Sequence, residues 1–401
     1  MNRAKDKAME RILEEILREV EVGSGKVGLK PLLQWFLNHL MEVERDLFLR
    51  HSENNKANGF YPRSLVAGSM NLGVRVPRDR NGDFRPRILP SKWRRSTDDY
   101  TSLLVSLVAN GYSDAEIARA LKGLGLHYSV DEMQEIRDRV RERVQDFKSR
   151  ELKSDWAAVF IDAYPTKVKD KTRVRDAAVY IFIGLDMDGN KELLHFEVVF
   201  GKENKGTWVR IFQDLIQRGL KRPLLVVSDD FSGLREALLD LFPMTDHQLC
   251  YVHLMRNVRR QMRREDSKDF IHELKLVRMA RDFEGGVQKF RELCERYADS
   301  YPTFMESLMK KVENYLAFQK YPESIRKYLY TTNTVENFNS LLEKVRLDVG
   351  GYFQSQELLD INTVLIHDRL KDHRWSKPVP AVHAASYELK QLFALKFGSK
   401  D

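Results

Sequence analysis

Cysteine is almost absent from this 401-residue chain: Cys250 and Cys294 are the only two. That is too few for a disulfide framework and points to a reducing compartment, so a cytoplasmic location is expected. No run of ~18 apolar residues occurs, so no membrane span is expected. The first twenty residues, MNRAKDKAMERILEEILREV, hold no apolar stretch of roughly 7–15 residues, and no secretory signal is expected. Internal repeats and low-complexity linkers are lacking too. What is present is an ordinary globular composition, 42% hydrophobic and 31% charged, long enough for two or three domains. The net charge of +8 leans toward a polyanionic partner, although many cytosolic proteins share such an excess.

Changes of pattern mark the organisation. Met9, Ile12, Leu13, Ile16, Leu17 and Val20 form one helical stripe; Leu32, Leu33, Phe36, Leu37, Leu40 and Met41 form a second. Residues 1–60 therefore read as amino-terminal helices suited to packing or to a homodimer contact. In residues 73–95, Arg75, Arg78, Arg80, Arg85, Arg87, Lys92, Arg94 and Arg95 meet only Asp79 and Asp83. Prolines prevent a helix there, and Asn81-Gly82 predicts a hairpin turn between two extended arms. Guanidinium forks on extended arms suit phosphate contacts; a solvated basic loop is the alternative.

Ser113-Asp-Ala-Glu116 and Ser129-Val-Asp-Glu132 are two capping boxes separated by the turn Gly123-Leu-Gly-Leu126. Helix, tight turn, helix gives residues 61–150 the outline of a helix-turn-helix, with Arg137 and Arg141 on the exposed face of the second helix. Acids interleave on that helix, so a plain helical bundle is the competing reading. From Trp156 the pattern turns to strands: Trp156–Ile161, Ala177–Leu185 and Leu193–Phe200, then a helix over 207–218, the strand Leu224–Val227 and a helix to Leu241. This is an α/β arrangement over 151–254, followed by mostly helical sequence over 255–330 and a further helical segment over 331–401.

Three carboxylates stand where such a fold exposes chemistry. Asp162 ends the first strand, Asp229 ends the fourth, and Glu336 lies in the helix turn opened by Thr331-Thr-Asn-Thr334. Each has a structural alternative: a turn before Pro165, a cap on the next helix, or a capping box from Asn333 to Glu336. Together they have the oxygen chemistry of a Mg²⁺ (or Mn²⁺) site, and two such ions serve in-line phosphoryl displacement. His247, Cys250 and His253 form an H-x-x-C-x-x-H run, but no second ligand pair for structural zinc is evident. Arg256, Arg259, Arg260, Arg263 and Arg264 recur at helical spacing, a face that suits phosphate or plain solvent.

Five segments read in order, FIDAYPTKV (160–168), VYIFIGLDMDGNKELLHFEV (179–198), WVRIFQDLIQRGLKRPLLVVSDDFSGLREAL (208–238), HQLCYVHLMRNV (247–258) and TTNTVENFNSLL (331–342), resemble the prokaryotic Mutator-type family of DDE transposases. Upstream, VPRDRNGDF (76–84) and the helix start at Gly111-Tyr-Ser113 are similar to the family's DNA-binding half. The resemblance implies an RNase H-like core with an α-helical insertion, preceded by a helical, helix-turn-helix DNA-binding domain. It implies Asp162, Asp229 and Glu336 as catalytic residues and ligands of two metal ions, with Asp230 a neighbour only. Cys250, His253 and Asn333 would support the site. Double-stranded DNA, as terminal inverted repeats and target, would be the partner, and the location the nucleoid. Two departures stand out: Tyr330 occupies a position where the family commonly has Arg, and Glu343 one where it usually has a basic residue; Lys344 and Arg346 are nearby cations. A non-catalytic DNA-binding derivative and an RNase H-like nuclease without strand transfer are the rival readings.

Overall fold

The computed structural model describes residues 29–52, 54–67, 70–86, 89, 117 and 130–398. The stripe from Met9 to Val20, the first helix of the helix-turn-helix pattern apart from Ile117, its turn, and Arg87, Lys92, Arg94 and Arg95 lie outside the described residues. The chain divides into two compact units, residues 1–140 and 141–401.

In the first unit, α1 (Leu29–Arg50) packs on an antiparallel hairpin of β1 (Ala57–Ala67) and β2 (Met70–Asp79). Leu72, Val74 and Val76 alternate inward and meet Leu65 and Met41, the period-two pattern of a half-buried strand. Gln34 Nε2 donates to the Gly73 carbonyl at 2.9 Å and the Arg75 amide to Asn38 Oδ1 at 2.7 Å, pinning helix to hairpin. The expected turn at Asn81-Gly82 is not a hairpin turn. The hairpin closes between Ala67 and Met70, and buried Asp79 instead accepts the amides of Asp83 and Phe84 to fold the chain back. The helical stripe also splits. Leu33, Leu37 and Met41 face the hairpin, whereas Phe36, Leu40, Val43 and Leu47 are between 37% and 52% exposed.

The second unit begins with the last turns of α2 (Val130–Ser149), which bring Phe147 into its core. Its five-stranded sheet has the order β5-β4-β3-β6-β7. Strands β3 (Asp155–Asp170), β4 (Arg173–Leu185) and β5 (Lys191–Val199) form an antiparallel meander; β6 (Arg222–Ser228) and β7 (Asp246–Leu249) extend it in parallel from β3. Both faces are covered, as the near-continuous burial of β3, β4 and β6 requires. On one side α3 (Lys205–Gln217), capped by Asn204, and α4 (Leu234–Leu241) set Trp208, Phe212 and Leu238 against Trp156, Ile161 and Phe182. On the other lie the helices from α5 (Tyr251–Gln261) through α6 (Arg264–Arg278), α7 (Phe283–Arg296), α8 (Pro302–Met309), α9 (Val312–Leu316), α10 (Glu323–Leu329), α11 (Asn333–Asp348) and α12 (Gln356–Asp372). The helical stretch shares the sheet's core: Phe270, Phe290, Leu316 and Phe318 join Phe160, Tyr164 and Val227 in one buried cluster. Fully burying each such side chain stabilises by about 1.5–3 kcal/mol. Buried Gln248 on β7 stitches the two parts, donating to the Tyr315 carbonyl and accepting from the Phe318 amide at 2.8 Å.

Two features differ from the expectation. The first strand does not stop at Asp162 but continues to Asp170, paired with β4 throughout. Strand β7 was not anticipated, since its four residues merge into the Cys-x-x-His motif.

Candidate active site

Register places the two aspartates side by side. Ile161 pairs with Ser228 as the last contact between parallel strands β3 and β6, so Asp162 and Asp229 are the next residues on strands roughly 4.8 Å apart. Alternation gives Asp162 the same face as Phe160 and Tyr164, the side covered by α11. That helix begins at Asn333, carries Glu336 in its first turn, and donates from Asn339 Nδ2 to Asp162 Oδ2 at 3.2 Å. The capping box considered for Asn333 and Glu336 is not formed; Thr332 is the helix cap and makes no side-chain cap bond. Nor does Asp229 cap α4, whose cap is Gly233 at φ 77°. A Cβ on Gly233 would stand 2.3 Å from the Lys205 amide nitrogen, so glycine is needed for the loop that carries Asp229.

The neighbouring carboxylates do different things. Asp230 forms an ion pair with Lys311, which draws it toward the helical layer. Asp229 lies 3.6 Å from His253 Nδ1, and Glu336 accepts from Arg256 Nη2 at 3.1 Å. Asp162 is only 6% exposed, and burial pushes its carboxyl up to about 6; His253 opposes that rise, while Glu336 and Asp229 add to it. Glu336 and Asp229 are thus each near enough to oppose ionisation of Asp162. Burial alone would lower His253, but Cys250, Asp229 and Asp162 together raise it to about 9, so it is a cation at neutral pH.

The Cys-x-x-His motif ties the site together. The Cys250 amide donates to the Ser228 carbonyl at 2.8 Å, joining the ends of β7 and β6, and the Tyr251 amide donates to the Tyr330 carbonyl at 2.9 Å. Buried Thr332 donates to Cys250 Sγ at 3.5 Å. Burial would raise the Cys250 thiol, but hydrogen bonds with His253 and Thr332 bring it below its usual value. His247 turns elsewhere: it is 2.8 Å from Ser228 Oγ, and burial depresses it to about 4, leaving it neutral. Asn333 is exposed at the mouth of α11.

The basic residues fall into three groups. In the first unit, Arg75 stacks over exposed Phe60 and Arg78 over Tyr61, which itself packs at the edge of the buried face, with Arg80 and Arg85 just beyond the hairpin. On α2, Arg141 is bound to Glu357 of α12 at 2.6 Å, and Arg137 is half-buried. Beside the carboxylates, Arg256, Arg259 and Arg260 lie on α5, but the run does not continue as one helix. The chain is extended at Met262 and Arg263 because Met262 is buried, and Glu265 and Asp266 favour a new helix start at Arg264. The two family departures also have local answers. Tyr330 packs on Tyr251 and Phe318, and α6 brings the Arg278 guanidinium over its ring at 4.7 Å. Glu343 accepts from Tyr164 at 2.6 Å and from Arg346, whose side chain also holds the Gly351 carbonyl, leaving Lys344 as the exposed cation there. Arg346 draws Glu343 down to about 2.

Sequence reasoning did not single out Asn339, although its i+3 spacing from Glu336 put it on the same helical face. It also read Arg256 as facing phosphate or solvent rather than Glu336, and overlooked the cations beyond Asp162 on β3. Among the described residues no three His, Cys, Asp or Glu groups close on one point as a finished metal centre would. The donor set nevertheless fits a hard divalent cation. Asp229 and Glu336 both oppose the charge of Asp162, His253 and Arg256 stand against Asp229 and Glu336, and Asn339 Oδ1 is buried with no partner.

A mixed sheet that sets Asp162, within β3, beside Asp229, just past the end of β6, and a returning helix that carries a glutamate in its first turn define an α/β protein with an acidic, cation-flanked site. Comparison with known proteins makes this specific. The profile of the family described as Transposase, Mutator family, matches residues 6–374, and the chain belongs to that family. It is similar to a probable transposase for insertion sequence element ISRM3-like from Sinorhizobium fredii, at 28% identity over 97% of this chain and 98% of the relative. The transposase for element ISRM3 of Rhizobium meliloti is 29% identical over the same shares, and the transposase for IS256 in transposon Tn4001 of Staphylococcus aureus is 26% identical over 81% of this chain and 86% of its own. Among the described residues no helix is long and apolar enough to cross a membrane.

Proposed function

We propose that this protein is a metal-dependent DNA transposase that binds the terminal inverted repeats of its own mobile element, nicks them, and joins the released ends to target DNA. The observation that carries this reading is that Asp229, just past the end of β6, stands beside Asp162 on β3, and that the α11 helix bearing Glu336 in its first turn donates from Asn339 to Asp162. The sheet order, a three-stranded antiparallel meander extended by two parallel strands, supports an RNase H-like core. The interruption between Asp229 and Glu336 by packed helices supports an insertion.

Asp162, Asp229 and Glu336 would hold two Mg²⁺ or Mn²⁺ ions, with Asn339 orienting Asp162. When bound, such ions supply Lewis-acid stabilisation of the phosphoryl group and make water a better nucleophile. His253 and Cys250 keep the strand ends and the Thr331-Thr332 segment in register. Arg256, Arg259, Arg260, Arg263 and Lys344 offer charge to phosphates, while Arg75, Arg78, Arg80 and Arg85 do so from the first unit, which serves recognition together with the helix-turn-helix. Two element ends need two recognition units, so the working form is a homodimer on DNA, with the exposed stripe of Phe36, Leu40, Val43 and Leu47 as its contact. The place of action is the nucleoid. The test is incubation of full-length protein with a duplex carrying its own element end and Mg²⁺. Nicks and joined products support transposition, nicks without joining support a nuclease, and binding without either supports a non-catalytic derivative.

A further inference from the structure

The β3–β4 hairpin does not end where the sheet does. Past Ile161, its last contact with β6, strand β3 runs on through Asp170 and β4 returns from Arg173. This extension is held firmly on one face. Thr166 and Val168 are buried, and Phe353 closes the free edge, its amide donating to the Lys167 carbonyl at 2.9 Å and its carbonyl accepting the Lys169 amide at 2.8 Å. The other face is open: Lys167 and Lys169 stand on it at alternate positions, across from Asp176 and Val174, while Lys171 at the turn and Arg173, exposed on the return but on the Val168 side, bring the cations at the hairpin end to four. No ion pair is formed by any of these four among the described residues, whereas neighbouring Arg175 is paired with Asp170. Alternation puts Lys167 and Lys169 on the opposite face from Asp162, so they do not neutralise the carboxylates. At ~3.3 Å per residue, the row extends from roughly 17 to 30 Å beyond Asp162, the length of about five to nine base pairs.

We propose that this hairpin is a second DNA-binding element, a rigid basic rail that holds the backbone of duplex flanking the scissile phosphodiester. The inference rests on the transposase reading above. It assigns backbone contact without base preference, because lysine and arginine on a solvent-facing strand present charge but no shaped groove-reading surface. The rail is built before DNA arrives, so little ordering of the backbone opposes binding.

The experiment measures binding of full-length protein to two labelled duplexes of equal length, one carrying the element end and one unrelated, across a salt series. The variant K167A/K169A/K171A/R173A is compared with wild type and with K268A/K275A/K289A/R291A, an equal charge change among exposed residues of the helical layer. Each lost phosphate contact lowers the salt slope by about 0.9. The rail variant is expected to lose a slope of about 3 and at least tenfold in affinity at fixed salt on both duplexes, with the control within threefold of wild type. The triple replacement K167R/K169R/K171R is expected to retain binding, and superimposable melting curves confirm folding. Equal losses in rail and control variants, or an unchanged rail variant, overturn the proposal while leaving the transposase reading standing. A wild-type protein that binds neither duplex overturns both.

Discussion

Replacing Asp162 by asparagine is expected to stabilise the metal-free protein while abolishing cleavage. The buried carboxyl has its pKa raised from 3.8 to about 6, a difference of about two units, or about 3 kcal/mol at ~1.36 kcal/mol per unit. Between those values the folded chain holds more protons than the unfolded one. Stability therefore falls as pH rises through that window, and the full penalty persists above it. Asparagine carries no charge to desolvate and still offers an oxygen to the Ala163 amide that Asp162 engages. Asp162→Asn should thus gain roughly 2–3 kcal/mol at pH 8 in the presence of a chelator, and almost nothing at pH 4. For a domain of this size that is an increase of roughly 5–10 °C in Tm at pH 8. Scanning calorimetry with chelator at pH 4, 6 and 8 decides it. A variant less stable than wild type at pH 8, or one whose advantage is the same at pH 4 and pH 8, refutes the reasoning.

Two further substitutions probe the surroundings. Gly233→Ala forces a left-handed φ of 77° on a residue with a Cβ and drives it to 2.3 Å from the Lys205 amide; together these should cost about 2–4 kcal/mol in urea denaturation, and a loss below 1 kcal/mol would mean that the loop yields freely. Arg256→Gln should change stability by less than about 1 kcal/mol, because the ion pair with Glu336 is half exposed (56% and 32%). The same change should raise affinity for Mn²⁺ without DNA, measured calorimetrically, since Glu336 then loses a competing cation; weaker Mn²⁺ binding would contradict that role.

Much of the α/β unit was legible because its signals are local. Apolar runs at 156–161, 177–185 and 224–227 became β3, β4 and β6, and Asp188-Gly189 turned the chain between β4 and β5, with Gly189 at φ 89°. What was misread depended on distant partners. Asn81-Gly82 carries a strong local turn signal, yet Asp79 gathers the amides of that segment and the hairpin closes thirteen residues earlier, between Ala67 and Met70. Pro165 suggested that the first strand had ended; it is tolerated because β3 has already passed its last contact with β6, and a missing N–H costs little at such an edge. The alternation Lys167-Val168-Lys169 was readable but lay beyond that supposed end. No spacing in the sequence says that Asn339 donates to Asp162, that Lys311 holds Asp230, or that Arg256 reaches Glu336. Those contacts exist only once the helical layer is folded against the sheet.

The most direct test of the central claim is single-turnover nicking of a duplex carrying the element's own end, with Mg²⁺, by wild type and by Asp162→Asn, Asp229→Asn, Glu336→Gln and Asp230→Asn. The account predicts that the first three lose nicking by at least a thousandfold while binding the duplex as wild type does. Asp230→Asn, which removes only the partner of Lys311, should stay within about tenfold of wild type. Retained nicking in any of the first three, or a loss in Asp230→Asn as deep as in Asp229→Asn, would contradict it.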